Sequence, residues 1–260
     1  MPAVLYEKKG HIAYITLNRP EARNAINSEA WEGLINAWIS VRDDREVRIA
    51  IVTGAGDKAF SAGADLKEIA QWMMMPEEQR PLSPVPEITP MRGLEVWKPF
   101  IAAINGIATG GGLELAMACD IRIAAENATL GLREVKQALM PSMSGTQRLP
   151  RLVPFCKAME ILLTGDFIDA QEAYRIGLVN KVVPLAGLML AAEELANRIA
   201  ENGPLAVMAI KEVAYRGMQM SLADGIRLEQ YFSKSLGASE DSKEGAIAFA
   251  QKRKPEFKGR

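Results

Sequence analysis

Residues 104–116 read Ile-Asn-Gly-Ile-Ala-Thr-Gly-Gly-Gly-Leu-Glu-Leu-Ala, so a single acid, Glu114, follows three consecutive glycines. The apolar run at 100–107 predicts a buried strand, and residues 113–119 predict a helix. Glycines at the start of a helix let a ligand approach bare backbone N–H groups, which favour negative charge. The stretch therefore predicts a strand, a tight glycine turn and a helix that carries one carboxylate.

An ionised carboxylate inside an apolar helix is costly to bury without a partner. Glu114 lies between Leu113 and Leu115 and is flanked by further apolar residues. Two interpretations follow from these residues alone. Glu114 either forms a structural ion pair with an internal arginine or serves a chemical function.

Further out from this stretch, strands and helices alternate. Residues 5–17 predict two short strands around a turn at Lys9 and Gly10, and Asp65 is a candidate cap of a helix that runs to about residue 75. Residues 76–90 hold five prolines and predict a loop. Residues 186–237 and 239–251 are helical in pattern. The other predicted elements are a helix at 29–41 capped by Ser28, and strands at 47–52 and 121–124.

These patterns predict an α/β core over residues 1–190, built of strand–strand–helix units, and a helical region over residues 191–260. The 260 residues are 48% hydrophobic and 24% charged, as in ordinary soluble domains. Residues 100–121 are mostly apolar, but their polar residues and glycines argue against a membrane span.

The overall charge and the rare residue types exclude several classes of function. The net charge of −1 gives no electrostatic basis for binding nucleic acid or an anionic membrane. Two cysteines are too few for a disulfide framework, so we expect a reduced, cytoplasmic setting. With one histidine in the chain, mechanisms that depend on histidine have little support. The last nine residues carry five basic groups, and their alternatives are a solvated end and a binding surface.

Two other segments carry weaker signals. Glu134 stands near Arg133 and Lys136, which by composition alone is typical of a solvated surface group. Residues 62–65, Ala-Gly-Ala-Asp, have no side chain larger than aspartate, so a ligand could contact their backbone.

Five segments taken together resemble the enoyl-CoA hydratase/isomerase (crotonase) family, in order and at the expected separations. The resemblance implies the crotonase-type spiral of strand–strand–helix units with a C-terminal helical oligomerisation region. It also implies a homotrimer or hexamer. The segments are Asn-Arg-Pro-Glu-Ala-Arg-Asn at 18–24, Phe-Ser-Ala-Gly-Ala-Asp-Leu-Lys at 60–67, the stretch at 104–116, Gly-Thr-Gln-Arg at 145–148, and Phe-Ala-Gln-Lys-Arg-Lys at 249–254.

The resemblance also implies roles for individual residues. The backbone N–H groups of Ala64 and Gly111 form an oxyanion hole for the thioester carbonyl. Glu114 acts on water, and Glu134 exchanges a proton with the α-carbon. No metal and no cofactor is expected, because CoA is part of the acyl-CoA thioester substrate. The residues expected to contact the substrate or its CoA are Arg23, Ala62, Asp65, Leu66, Lys67 and Lys252.

The chain departs from the family pattern at two places. Glu21 stands where some relatives have lysine, and Ser142 and Ser144 replace two glycines beside the expected water site. The expected function is an enoyl-CoA hydratase. The alternatives are a double-bond isomerase, or a hydratase or dehydratase of cyclic or hydroxylated acyl-CoA. A catalytically silent acyl-CoA-binding scaffold is disfavoured, because it would bury Glu114 without benefit.

Overall fold

Two β-sheets, of six and four strands, form the framework of the protein, whose computed structural model describes residues 1 to 260. The strands are β1 (Val4–Lys9), β2 (Ile12–Leu17), β3 (Ile49–Gly54), β4 (Ala59–Ser61), β5 (Phe100–Ile104), β6 (Ile107–Thr109), β7 (Ile121–Ala125), β8 (Thr129–Gly131), β9 (Ile168–Asp169) and β10 (Lys181–Val183). The helices are α1 (Ser28–Asp43), α2 (Leu66–Met73), α3 (Gly111–Ala118), α4 (Gly145–Leu152), α5 (Phe155–Thr164), α6 (Ala170–Arg175), α7 (Leu188–Ala200), α8 (Pro204–Gly217), α9 (Leu222–Gly237) and α10 (Glu240–Ala250).

Successive strand pairs are divided between the two sheets. The large sheet has the order β1-β2-β3-β5-β7-β10 and the small sheet β4-β6-β8-β9. In the pairs β3–β4, β5–β6 and β7–β8 the first strand joins the large sheet and the second joins the small one. The pairs β3–β4 and β5–β6 are followed by α2 and α3, and β7–β8 by a 3-10 helix, Glu134–Gln137. This is the predicted strand–strand–helix repetition, and the predicted hairpin is present as the antiparallel pair β1–β2.

The prediction of one continuous strand over residues 100–107 was wrong. β5 ends at Ile104 in the large sheet, and β6 begins at Ile107 in the small sheet. Between them the Asn105 side chain donates to the carbonyl oxygens of Gly54 and Gly56 at 2.9 and 2.8 Å. Hydrophobicity does not reveal this corner, because the apolar side chains continue through it on both sides.

The two predicted helix caps had different outcomes. Asn27, not Ser28, caps α1, since its side chain accepts a hydrogen bond from the N–H of Ala30 at 3.0 Å. The hydroxyl of Ser28 instead donates to Glu68. Asp65 does cap α2, which ends at Met73, two residues before the predicted end.

The central strands β3, β5 and β7 of the large sheet are buried on both faces, which explains their nearly continuous apolar sequences. One face packs with α1 and the small sheet in a cluster of 40 buried residues, and the other packs against α7 with 13. The ring of Trp38 on α1 stacks on Phe100 of β5 at 4.4 Å between centroids. α7 runs across residue 190, so the division of the chain at that residue stays a prediction.

Helices α8 to α10 leave large apolar side chains exposed. Examples are Ile210, Leu222, Tyr231 and Phe249. Among the helices of the protein, none combines the length and the apolar composition that crossing a bilayer requires.

The basic C-terminal segment is folded onto its own chain. The carboxylate of Asp241 accepts hydrogen bonds from the N–H groups of Lys258 and Gly259 at 2.7 and 2.8 Å. Arg48 donates to the carbonyl of Phe257 at 2.7 Å. The interpretation of this segment as a free, solvated end is therefore wrong.

Candidate active site

Two backbone N–H groups from different loops lie close together. A Cβ atom placed on Gly111 would lie 3.6 Å from the nitrogen of Ala64. Gly111 is the first residue of α3, so its N–H has no acceptor within the helix. The N–H of Ala64 makes no hydrogen bond to the protein. Both N–H groups are therefore left without a partner in the chain and are available to a ligand.

The loop before Ala64 is fixed by its neighbours. Ile26 donates to the carbonyl of Gly63 at 2.7 Å and accepts from the N–H of Asp65 at 3.0 Å. Gly63 has a φ of +85°, and a Cβ there would lie 2.7 Å from the carbonyl oxygen of Thr109. Only glycine allows this approach of the two loops.

Glu114 projects from α3 and is 2% exposed. Its Oε1 atom accepts hydrogen bonds from the N–H groups of Met143 and Gly145 at 2.8 and 2.7 Å. Burial, the largest cause, raises the pKa of this carboxyl to about 7, and the negative charge of Glu134 adds to the rise. The two N–H groups lower it. No ion pair accompanies Glu114, so the interpretation as a structural pair with an internal arginine is wrong.

Glu134 begins the 3-10 helix that follows β8 and is half-buried. A Cβ on Gly110 would lie 3.4 Å from its Oε1 atom, which places the carboxylate beside the glycine turn. Burial raises the pKa of this carboxyl as well. The composition around Glu134 indicated a solvated surface group, and that interpretation was wrong because the turn after β8 directs the carboxylate inward.

One cavity, of about 820 Å³, is lined by both glutamates and by Ala64 and Gly111. Arg23, Ala62 and Leu66 also line it, so the structure brings these seven predicted site residues together. The apolar wall consists mainly of large or flexible side chains. They include Trp31, Trp72, Met73, Leu139, Met140 and Met143.

Three predicted contact residues do not line the cavity. The carboxylate of Asp65 caps α2 and pairs with Arg19 at 2.9 Å, so its side chain has a structural task. Lys67 is exposed on α2, and Lys252 is exposed just after α10. Arg23, by contrast, lines the cavity and makes no ion pair to another residue of the chain.

The two serines that replace glycines have different surroundings. Ser142 is exposed and lines the cavity. Ser144 does not line it, and its hydroxyl accepts a hydrogen bond from Nε of Arg148 at 2.9 Å. Of the two serines expected beside the water site, only Ser142 therefore lines the cavity that contains Glu114.

The structure adds functional candidates that the sequence did not single out. Met143 and Gly145 supply the donors to Glu114, and Thr109 lines the cavity. Gly145 belongs to the Gly-Thr-Gln-Arg segment at 145–148, so the family pattern had already marked it as a candidate. Thr109 gave none, because a threonine in an apolar strand is unremarkable in sequence.

Comparison with known proteins gives consistent matches over the whole chain. Residues 7–260 match the family model described as enoyl-CoA hydratase/isomerase. The chain is 45% identical to (E)-benzylidenesuccinyl-CoA hydratase of Thauera aromatica over 100% of both chains. It is 44% identical to short-chain-enoyl-CoA hydratase of Clostridium acetobutylicum over 99% of this chain and 98% of the relative.

The fold matches equally well. The crystal structure of enoyl-CoA hydratase from Bacillus anthracis superposes with a TM-score of 0.91 at 41% identity, over 99% of this chain and 100% of the other. This confirms the spiral fold class predicted from the sequence.

Proposed function

The chain belongs to the enoyl-CoA hydratase/isomerase family and is an enzyme of its hydratase (lyase) type, and we propose that it adds water reversibly to a 2-enoyl-CoA thioester through Glu114 and Glu134. One observation carries the proposal. Two carboxyl groups with raised pKa values line the same cavity as the two unpaired backbone N–H groups of Ala64 and Gly111. The N–H groups can stabilise an enolate oxygen, and the carboxyl groups can exchange the protons that its formation and breakdown require.

In the proposed mechanism the N–H groups of Ala64 and Gly111 bind the thioester oxygen. They stabilise the negative charge that develops there when water attacks, an effect usually worth several kcal/mol. Glu114 removes a proton from the attacking water, whose oxygen bonds to the β-carbon. Glu134 gives its proton to the α-carbon, so one H and one OH are added. The step uses no metal and no cofactor beyond the CoA of the substrate.

The protonation states suit this division of tasks. A pKa of about 7 leaves a useful fraction of Glu114 ionised near neutral pH, as a general base requires. The pKa of Glu134 is raised by burial, which favours the protonated form that a donor needs.

For the substrate, we propose a bulky, cyclic or oxygenated acyl group. The flexible methionines Met73, Met140 and Met143 can adapt to an irregular apolar group. Ser142 adds a hydroxyl where relatives have glycine. The relative from Thauera aromatica, named for benzylidenesuccinyl-CoA, supports an acyl group larger than crotonyl.

We further propose that Arg23, Lys67 and Lys252 contact the CoA phosphates, and that the protein is a homotrimer or hexamer. The exposed apolar side chains of α8 to α10 support an assembly, because a lone chain leaves them in water. Light scattering at micromolar concentration tests this, and a monomer would contradict it.

The reaction is tested by supplying purified protein with a panel of 2-enoyl-CoA thioesters in H₂¹⁸O. The panel contains crotonyl-CoA and aryl-substituted acyl groups, and products are analysed by mass spectrometry. We expect ¹⁸O at the β-carbon and faster reaction of the bulkier thioesters. Double-bond migration without ¹⁸O would favour an isomerase, and faster reaction of crotonyl-CoA would favour a short-chain hydratase.

A further inference from the structure

Two buried side-chain oxygens of the protein lack a hydrogen-bond partner, Oγ1 of Thr109 and Oε2 of Glu134. Both residues line the same cavity. Buried polar atoms are nearly always paired, and an unpaired one usually marks a binding function or a bound water molecule. Two such atoms, on two residues of one cavity wall, therefore point to a small ligand or a water molecule that binds both.

The fold places Thr109 beside Glu134. Thr109 of β6 pairs with Gly131 of β8, and Gly131 stands three residues before Glu134 in the chain. Thr109 also precedes Gly110, whose Cβ position would lie 3.4 Å from the other oxygen of Glu134. Thr109 lines the cavity, whereas Ala108, its neighbour in β6, is buried in the core.

We infer that Thr109 is a positioning residue for Glu134, and that the Thr109 hydroxyl and Oε2 of Glu134 bind one shared water molecule. This inference rests on the proposed role of Glu134 as proton donor. A hydroxyl both donates and accepts, so the shared water can serve Glu134 in either protonation state. It fixes the Oε2 atom in place while the proton is transferred.

Several other charged groups surround Glu134, and their contacts lie elsewhere. In the cavity these are Glu114 from α3, Arg23 from the segment before α1, and Arg133 and Lys136 from its own 3-10 helix. Lys136 is paired with Asp166 at 2.6 Å, and the Arg133 guanidinium stacks on Phe167. On α5, which packs against this 3-10 helix, Lys157 is paired with Glu160 at 2.7 Å. None of these cations hydrogen-bonds to Oε2 of Glu134.

The test compares Thr109→Val, which keeps the shape and loses the hydroxyl, with Thr109→Ser, which keeps the hydroxyl. The first readout is the titration of the Glu134 carboxyl in free protein labelled with ¹³C-glutamate, with the resonance assigned from Glu134→Gln. The water binds the charged carboxylate more strongly than the neutral acid, so its loss in Thr109→Val should raise the pKa of Glu134 by about half to one unit. Thr109→Ser should titrate like the parent.

The second readout is turnover. We expect Thr109→Val to lower kcat by about tenfold, the scale of one lost hydrogen bond, with little change in KM. In a Glu134→Gln background the same substitution should have no further effect, because Thr109 acts through Glu134. Thr109→Ser should restore parent turnover.

An unchanged Glu134 titration in Thr109→Val would overturn the inference, whatever the turnover does. An equal loss of turnover in the Glu134→Gln background would also overturn it, since Thr109 would then act on the substrate directly. The titration needs no substrate. The Glu134 titration can therefore confirm the role of Thr109 even if the proposed hydration reaction is wrong. Failure of the Thr109 inference and failure of the proposed function thus give different results.

Discussion

The N–H of Gly145 donates to Oε1 of Glu114 over 2.7 Å, and a methyl group on Gly145 would lie 2.9 Å from that same oxygen. The methyl position is also 2.7 Å from Cβ of Pro141 and 3.1 Å from Cδ1 of Leu132. Gly145 therefore binds the carboxylate and leaves no room for a side chain beside it.

Gly145→Ala should displace Glu114 and lower kcat/KM by at least about tenfold, because small errors in the position of a catalytic group are costly. Overpacking should also cost about 1–3 kcal/mol of stability. Gly187→Ala is the matched control, since no atom lies within 4 Å of its Cβ position. Kinetics and urea unfolding measure both effects. Parent activity in Gly145→Ala would show that Glu114 tolerates displacement.

Glu114→Gln and Glu134→Gln should each lower hydration by at least about a hundredfold, the usual scale of a positioned acid or base. The amide keeps nearly the same shape, so both proteins should fold. Turnover is measured on a thioester that the parent hydrates. Glu126→Gln, at an exposed glutamate after β7, controls for the loss of one charge. A variant that keeps parent turnover would remove that glutamate from the mechanism.

The raised pKa of Glu114 predicts a pH-dependent stability. Between its ordinary value of 4.5 and about 7, the folded protein keeps a proton that the unfolded chain releases. Stability from this group is therefore present at low pH and lost as the pH rises through about 7. Glu114→Gln cannot ionise, so it should be more stable than the parent at pH 8, by up to about 3 kcal/mol.

Urea unfolding of the parent and Glu114→Gln at pH 5 and pH 8 measures this difference. The gain should be small at pH 5, where the parent carboxyl is mostly protonated in the folded state. A difference in stability that is the same at both pH values would rule out burial of the ionised form as its cause.

The two serines should respond differently to glycine. Ser142→Gly removes a hydroxyl from the cavity and should raise crotonyl-CoA hydration relative to a matched oxygenated thioester. Ser144→Gly should leave that ratio unchanged, because its hydroxyl binds Arg148. Its stability should stay within about 1 kcal/mol of the parent, since relief of the φ of +85° offsets the lost hydrogen bond. Equal effects of both variants on the ratio would contradict the assignment.

Lys252→Ala should raise the KM for a CoA thioester at low salt, and the effect should shrink at high salt. Lys254→Ala removes the same charge but from a lysine that is paired with Glu201 at 2.7 Å, so it should have no such effect. Point variants are sharper than deletion of residues 252–260, which would also remove the contacts of Phe257 and Asp241. Equal KM values in both variants and the parent would show that Lys252 is only solvated.

Local chemistry predicted much of the fold. The hairpin around Gly10, the Asp65 cap and the glycine turn before α3 depend on neighbours in sequence, and all three are present. The corner at Asn105 depends on carbonyl groups some 50 residues away, and an apolar pattern cannot show them. The folded-back C-terminal segment escaped prediction for the same reason, since its partners include Arg48.

The candidate site divides in the same way. Glu114 was visible as an acid in an apolar helix, whereas Glu134 was hidden by its charged neighbours and was found through family resemblance alone. Ser144 looked equivalent to Ser142 in sequence, but only Ser142 lines the cavity, and the Ser144 hydroxyl accepts a hydrogen bond from Arg148 instead. Thr109 depends on a cavity that no sequence pattern describes.

The corner at Asn105 also has a consequence for how the enzyme loses activity. β5, the corner, β6 and α3 are consecutive in residues 100–118, and β5 lies within the large sheet between β3 and β7. The helix with Glu114 therefore cannot detach without pulling on a central strand. Protection of the amides of α3 and β5 against hydrogen exchange should be lost together, in a single cooperative opening. Heat or denaturant should then inactivate this enzyme by global unfolding, with no earlier melting of the site.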